Sequence, residues 1–218
     1  HFAILDKNGA SSLIKEAVKE QGIDSKQFSP DRIANVISRQ KGNLVTMEEY
    51  RASAGNAYFP MIVASVWARY EGFLKREKAL DFDDLILKTV LLLRDNPEVR
   101  AGYQAQWKYI HIDEYQDTNG VQYELARLLA GVNKNICAVG DGDQNIYSWR
   151  GANLQNILNF AEDYTGAQTI LLEENYRSTQ TILAVANDVI KKNTVRKEKN
   201  LYTKNIEGDK IGIIQAYN

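Results

Sequence analysis

Three places along the chain gather side chains able to do chemistry. The first is Ile112-Asp113-Glu114-Tyr115-Gln116-Asp117, where the apolar run Tyr109-Ile110-His111-Ile112 ends on adjacent carboxylates. A strand that delivers two acids to its carboxyl end has a direct use in phosphoryl transfer. Asp113 can hold Mg²⁺, directly or through water, while Glu114 polarises an attacking water. An isolated Asp-Glu pair is more often a solvated strand end. The second is Gly140-Asp141-Gly142-Asp143-Gln144-Asn145-Ile146-Tyr147-Ser148-Trp149-Arg150-Gly151. Its two leading glycines and two acids make a turn, and Gln144 can touch a phosphate or a water. Tyr147 and Trp149, with Arg150 beside them, suit the stacking of single-stranded bases, worth ~1–3 kcal/mol each. The same rings suit a core, and spacing leaves both alternatives open. The third is Glu173-Glu174-Asn175-Tyr176-Arg177-Ser178 at the mouth of a helix. Arg177 there is badly placed for the helix dipole but well placed to meet an anion. Tyr176 can stack on a base. Alone, this segment also describes a surface arginine beside a half-buried tyrosine.

The elements that must position these groups change character along the chain. Up to residue 106 the pattern is helical. Ser12 can cap a helix carrying Leu13, Ile14, Ala17 and Val18 that stops at Gly22. Ser29-Pro30-Asp31 opens a helix with proline in its first turn, ending at Gly42. Thr46 and Glu49 form a capping box ahead of one long amphipathic helix with Tyr58, Ile62, Val66, Tyr70 and Phe73 at helical spacing. Asp81 caps the next, which runs to Asn96-Pro97. From Lys108 strands and helices alternate. Strands are expected at 109–112, 136–139 and 169–172, with helices at 119–130, 154–161 and 178–190. Such alternation implies an α/β fold with a parallel sheet, whose ligands collect at the carboxyl ends of the strands.

Composition narrows the class. The chain of 218 residues is 44% hydrophobic and 25% charged, which fits one or two globular domains and excludes a disordered tail or a collagen-like repeat. The net charge of −1 excludes a uniformly basic nucleic-acid glove. Residues 81–168 carry 7 basic and 13 acidic groups, so an acidic middle lies between mildly basic flanks. The single Cys137 allows no internal disulfide and implies a reducing, cytoplasmic setting. No run reaches the ~20 apolar residues of a membrane-spanning helix, and the first residues lack a secretory signal. The chain also lacks an initiator methionine, as expected of an excised piece.

Together the three segments resemble a known family. Ile112 to Asn119 is similar to motif II of the UvrD/PcrA/Rep group of superfamily 1 DNA helicases, Val139 to Ala152 to motif III, and Leu172 to Thr179 to motif IV. Leu80-Asp81-Phe82-Asp83-Asp84-Leu85 resembles a stretch these proteins carry ahead of motif II. The resemblance implies a RecA-like parallel sheet, incomplete here, with a mostly helical insertion. Residues 1–77 would be that 1B-like insertion, 78–167 the later part of domain 1A, and 168–218 the start of domain 2A. By the same resemblance Asp113 binds Mg²⁺, Glu114 is the general base for ATP hydrolysis, and Gln144 senses the γ-phosphate. Tyr176 lies against adenine and Arg177 is an arginine finger. Tyr147, Trp149 and Arg150 meet single-stranded DNA, and junctions of single- and double-stranded DNA are the expected partners. The parent is then an ATP-dependent 3′–5′ helicase of DNA repair or replication.

The chain departs from the family in lacking G-x-x-x-x-G-K-[ST], the loop that cradles phosphates, and contains no Gly-Lys pair at all. Without it, this piece is expected to be inactive alone. Ser148 stands where some members have arginine, and Tyr202 where relatives often have tryptophan. Two alternatives remain at this point: a non-catalytic DNA-binding or interaction module, and the helicase part of an AddA/RecB-type helicase-nuclease.

Overall fold

A computed structural model of the chain describes residues 1–216. It begins with β1 (Ala3–Ile4), α1 (Lys7–Glu20), α2 (Pro30–Gly42), α3 (Met47–Ser53), α4 (Tyr58–Glu77), β2 (Ala79–Leu80), α5 (Phe82–Asp95) and α6 (Pro97–Gln106). The main core lies among α1, α2 and α4, where Ile14, Val18, Ile33, Ile37, Val66, Trp67, Tyr70 and Phe73 are buried. These residues recur at helical spacing, so each helix presents one apolar face to the others. The first strands pair in parallel, Ala3 with Ala79 and Ile4 with Leu80, and tie the chain's beginning to the end of α4.

Two helix starts differ from the sequence reading. Helix α1 is capped by Asp6, whose Oδ1 accepts from Gly9 N at 2.7 Å, so it begins before Ser12. Ser12 instead sits inside α1 and donates its hydroxyl to the Asn8 carbonyl. The capping box at Thr46 and Glu49 forms, but it opens only the short α3. The chain then breaks at Gly55, whose φ of +56° lies in the left-handed region that favours glycine, and α4 starts anew at Tyr58. Asp81 and Asp84 form a second capping box on α5, as expected for the Asp81 cap.

Beyond α6 come β3 (Ile110–Ile112), α7 (Gly120–Ala130), β4 (Ile136–Ala138), α8 (Gln155–Leu158), α9 (Phe160–Asp163) and α10 (Gln180–Ile190). Strands β3 and β4 pair in parallel, Ile110 with Ile136 through Ile112 with Ala138. A smaller core, Leu87, Val90 and Val121, joins α5 to α7. The fold is therefore α/β with two small parallel sheets, β1–β2 and β3–β4.

Residues 169–172 do not form the expected third strand. Ile170 and Leu172 are 79% and 78% exposed, and with no neighbouring strand their backbone has no ladder to join. Among the described residues only an isolated parallel bridge, Glu174 with Tyr202, forms nearby. The helix expected over 154–161 is split at Asn159, a residue of low helix propensity, while Asn156 is drawn to Thr118 by two hydrogen bonds. Helix α10 starts at Gln180, two residues later than Ser178, with Thr179 at its N-cap in an extended conformation.

Candidate functional site

The site grows from the carboxyl ends of β3 and β4. Val139 N donates to Ile112 O at 2.8 Å, and Tyr115 N donates to Val139 O at 3.0 Å. Parallel pairing thus brings Asp113-Glu114 and Gly140-Asp141 out at the same sheet edge. Asp113 is exposed, and its Oδ1 accepts from Glu114 N at 2.9 Å. Glu114 is also exposed and has φ 51° and ψ 41°, the left-handed region that a non-glycine residue enters at a cost. Such outliers cost ~1–3 kcal/mol and cluster at functional sites. Behind the acids, Tyr115 is buried edge-on against Phe160, ring centroids 5.5 Å apart.

The glycine turn is held by its own acids. Asp141 Oδ1 accepts from Asp143 N and its Oδ2 accepts from Gln144 Nε2, both at 2.9 Å. Burial raises the Asp141 carboxyl, but Lys199 and the Gln144 amide outweigh it and hold the group below the usual carboxylate range. Lys199 pairs with Asp141, and its Nζ also lies 3.5 Å from Asp143 Oδ2. Arg196 Nη2 approaches the same Asp143 oxygen at 2.9 Å. A Cβ at Gly140 would meet Gln116 Oε1 at 2.6 Å and Ile157 Cδ1 at 2.8 Å, so a larger residue there would push on the Gln116 amide.

Past the turn, Trp149 is 78% exposed and Tyr147 is also exposed, their ring centroids 6.2 Å apart. The Arg150 guanidinium lies 5.5 and 5.6 Å from the two rings, within cation–π range. Within this chain both rings therefore face solvent. Tyr176 is 80% exposed and Arg177 is exposed beside it. Asn175 Oδ1 shapes their loop by accepting from Arg177 N and Ser178 N at 3.0 and 2.8 Å.

Asp113, Glu114 and Gln144 are thus gathered at one edge, and Tyr147, Trp149 and Arg150 form a second cluster on the same connection. Among the described residues no hydrogen bond or ion pair ties Tyr176 or Arg177 to either cluster. The link from the 168–216 segment runs instead through Arg196 and Lys199. Sequence reasoning passed over these two, because a basic residue 58 positions from its partner leaves no local pattern, and gave Gln116 no role of its own. Among the described residues no group of three or more His, Cys, Asp or Glu is arranged to hold a metal. An exposed Asp113 with one oxygen already engaged suits Mg²⁺, which is commonly held by one or two carboxylates completed by phosphate and water. No helix among the described residues is long and apolar enough to cross a membrane.

The UvrD/REP helicase N-terminal domain matches residues 1–165, and the UvrD-like helicase C-terminal domain matches residues 170–218. The ATP-dependent DNA helicases PcrA of Staphylococcus epidermidis and Staphylococcus aureus are each 50% identical to the chain over 216 residues. That alignment covers 99% of this chain and 30% of the relatives' length, so the chain spans less than a third of them. The first of the two family matches alone takes in most of the chain, and the chain belongs to the UvrD/REP helicase family.

Proposed function

We propose that this chain is part of an ATP-driven DNA helicase that moves 3′ to 5′ on single-stranded DNA in repair or replication, in a cytoplasmic setting. Residues 1–77 serve as the helical 1B-like insertion, 78–167 as the later part of RecA-like domain 1A, and 168–218 as the start of domain 2A. Asp113 is the residue that would hold Mg²⁺, which when bound neutralises charge developing on the phosphates. Glu114 takes the proton of the attacking water, and Gln144 reads the terminal phosphate from the neighbouring turn. Tyr176 supports the adenine, and Arg177 supplies positive charge to the transferring group. Tyr147 and Trp149, with Arg150, carry single-stranded bases, and junctions of single- and double-stranded DNA are the substrate.

The observation that carries this reading is the common edge of β3 and β4. It sets Asp113 and Glu114 beside the turn of Gln144, and that turn leads within a few residues to the exposed Tyr147–Trp149 pair. A phosphate-reading group and a base-stacking platform on one short connection suit an engine that converts hydrolysis into movement on a strand. Since no phosphate-cradling loop occurs among these 218 residues, the chain alone has no means to anchor a triphosphate and is inactive. The test is phosphate release from Mg²⁺-ATP with and without single-stranded DNA. The full-length protein should turn over and be DNA-stimulated, and the 218-residue chain should not. Turnover by the chain that disappears in Glu114→Gln would refute the dependence on a missing loop. A full-length protein with no DNA-stimulated turnover would refute the helicase reading.

A further inference from the structure

Gln116 is 1% exposed and uses every polar group of its side chain within the site. Its Nε2 donates to Glu114 Oε2 at 2.7 Å, and its Oε1 accepts from Asp141 N at 2.9 Å. Its main-chain carbonyl accepts from Asn145 Nδ2. The amide can adopt only this orientation, because the flipped one would face oxygen against carboxylate and N–H against N–H. One side chain therefore bridges the segment that follows β3 and the turn that follows β4. Since Asp141 in turn accepts from Gln144, a continuous path runs from Glu114 through Gln116 and Asp141 to Gln144.

We propose that Gln116 is the positioning residue that fixes the Glu114 carboxylate in register with the Gln144 turn, so that base and phosphate sensor move as one unit. This rests on the reading of Glu114 as the base. Glu114 is exposed at the end of a flexible side chain, and nothing but the Gln116 amide is hydrogen-bonded to its carboxylate among the described residues. Binding one oxygen restrains the rotamer and leaves the other to accept a proton from water. A buried amide satisfied only for stability would find its partners in backbone groups, as most side-chain hydrogen bonds do. Gln116 spends its donor on an exposed carboxylate in a left-handed backbone position instead. Gly140 leaves room for that amide, a second sign that the turn is shaped around it.

The experiment compares DNA-stimulated ATP hydrolysis of the full-length protein with its Gln116→Met, Glu114→Gln and doubly substituted variants. Methionine keeps the length and removes both hydrogen-bonding ends. Gln116→Met should lower kcat by about 10- to 100-fold, the scale of a misplaced catalytic group, with KM for ATP within about two-fold. Added to Glu114→Gln it should change the residual rate by less than about two-fold, since a residue that acts only through Glu114 has nothing left to position. If Gln116→Met fails to fold, Gly140→Ala, which intrudes on the same amide, is read by the same kcat and KM criteria. A dead Glu114→Gln with Gln116→Met or Gly140→Ala at the normal kcat overturns the positioning role. A further drop in the double variant, or a rise in KM equal to the fall in kcat, also overturns it by assigning Gln116 a structural role. Normal turnover by Glu114→Gln is the distinct outcome that removes the base reading and this inference with it.

Discussion

Glu114 holds a left-handed backbone, φ 51°, at the position where a glycine would be comfortable. If that conformation is kept for the carboxylate it aims, removing the carboxylate should expose the strain. In the 218-residue chain Glu114→Gly should then be about 1 kcal/mol more stable than Glu114→Ala, since both lose the Gln116 hydrogen bond and only alanine retains the Cβ penalty. Urea unfolding of the two variants measures it, and equal stability would mean the backbone relaxes. At Trp149 the exposed ring is the quantity to test. Trp149→Ala in the full-length protein should weaken single-strand binding by ~1–3 kcal/mol with little base preference, by fluorescence titration at one fixed salt concentration. No effect from either Trp149→Ala or Tyr147→Ala would remove the platform. For Arg177 the expectation is a ~10³–10⁵-fold slower hydrolysis on substitution by alanine, as for arginine fingers generally. A normal rate would reject that role. Asp113, Glu114 and Gln144 could be singled out because their runs directly follow apolar strand segments, β3 and β4. Whether Tyr147 and Trp149 face solvent or core was not legible, since that depends on what packs over them.

Between elements, the strongest feature is an ion cluster that ties α2, α4 and α5. The Lys41 ammonium, 1% exposed, lies 2.8 Å from Asp81 Oδ2, 2.9 Å from Asp84 Oδ1 and 3.3 Å from Glu71 Oε1. Tyr70 adds a hydroxyl donor to the same Asp81 oxygen. Burial opposes the Lys41 charge, but Asp81, Glu71 and Asp84 outweigh it and push its pKa up. Removing the lysine would leave three carboxylates facing one another, so Lys41→Ala should cost about 3–5 kcal/mol in the unfolding of the helical part. Adding Asp84→Asn should recover some of it, and a loss under 1 kcal/mol would show the cluster is wet. Helix α7 offers a pH test. Arg127 and then Arg94 hold the buried Glu124 below its ordinary 4.5. A carboxyl depressed in the folded state adds stability above its unfolded pKa and loses it as pH falls through the folded one. The wild-type chain should therefore lose stability below about pH 4.5 more steeply than Glu124→Gln. Parallel slopes would discount the pairing. The helices were largely readable, because caps such as Asp81 and Thr46 and the apolar spacing are local. Lys41 was not, since its partners lie 30 to 43 positions along the chain, and neither was the break at Gly55, where the apolar period continues unchanged in register.

At the scale of the whole chain, the helical and sheet portions are unequal. The helices of residues 1–106 enclose a core of fully buried side chains. The sheet has two strands of three residues, and a parallel sheet is ordinarily covered on both faces and flanked by further strands. Here Cys137 and Val139 are exposed, and Ile110 and Ile112 are only half-buried. Among the described residues no third strand joins β3 and β4 to cover these side chains, in a chain that spans 30% of its relatives' length. The run 168–172 failed as a strand on the same ground: its apolar residues need partners that these residues do not contain. Unpaired apolar edges invite pairing with a second copy. The isolated chain should therefore self-associate, or else exchange its amide hydrogens rapidly at 135–139 and 168–172 while those of α2 and α4 stay protected. Light scattering with hydrogen exchange decides between the two. In the full-length protein the slow-exchanging region should extend into both segments. A monomer whose 135–139 and 168–172 amides are as protected as α4 would show that two short strands close a core on their own, and the account of the missing third strand would be wrong.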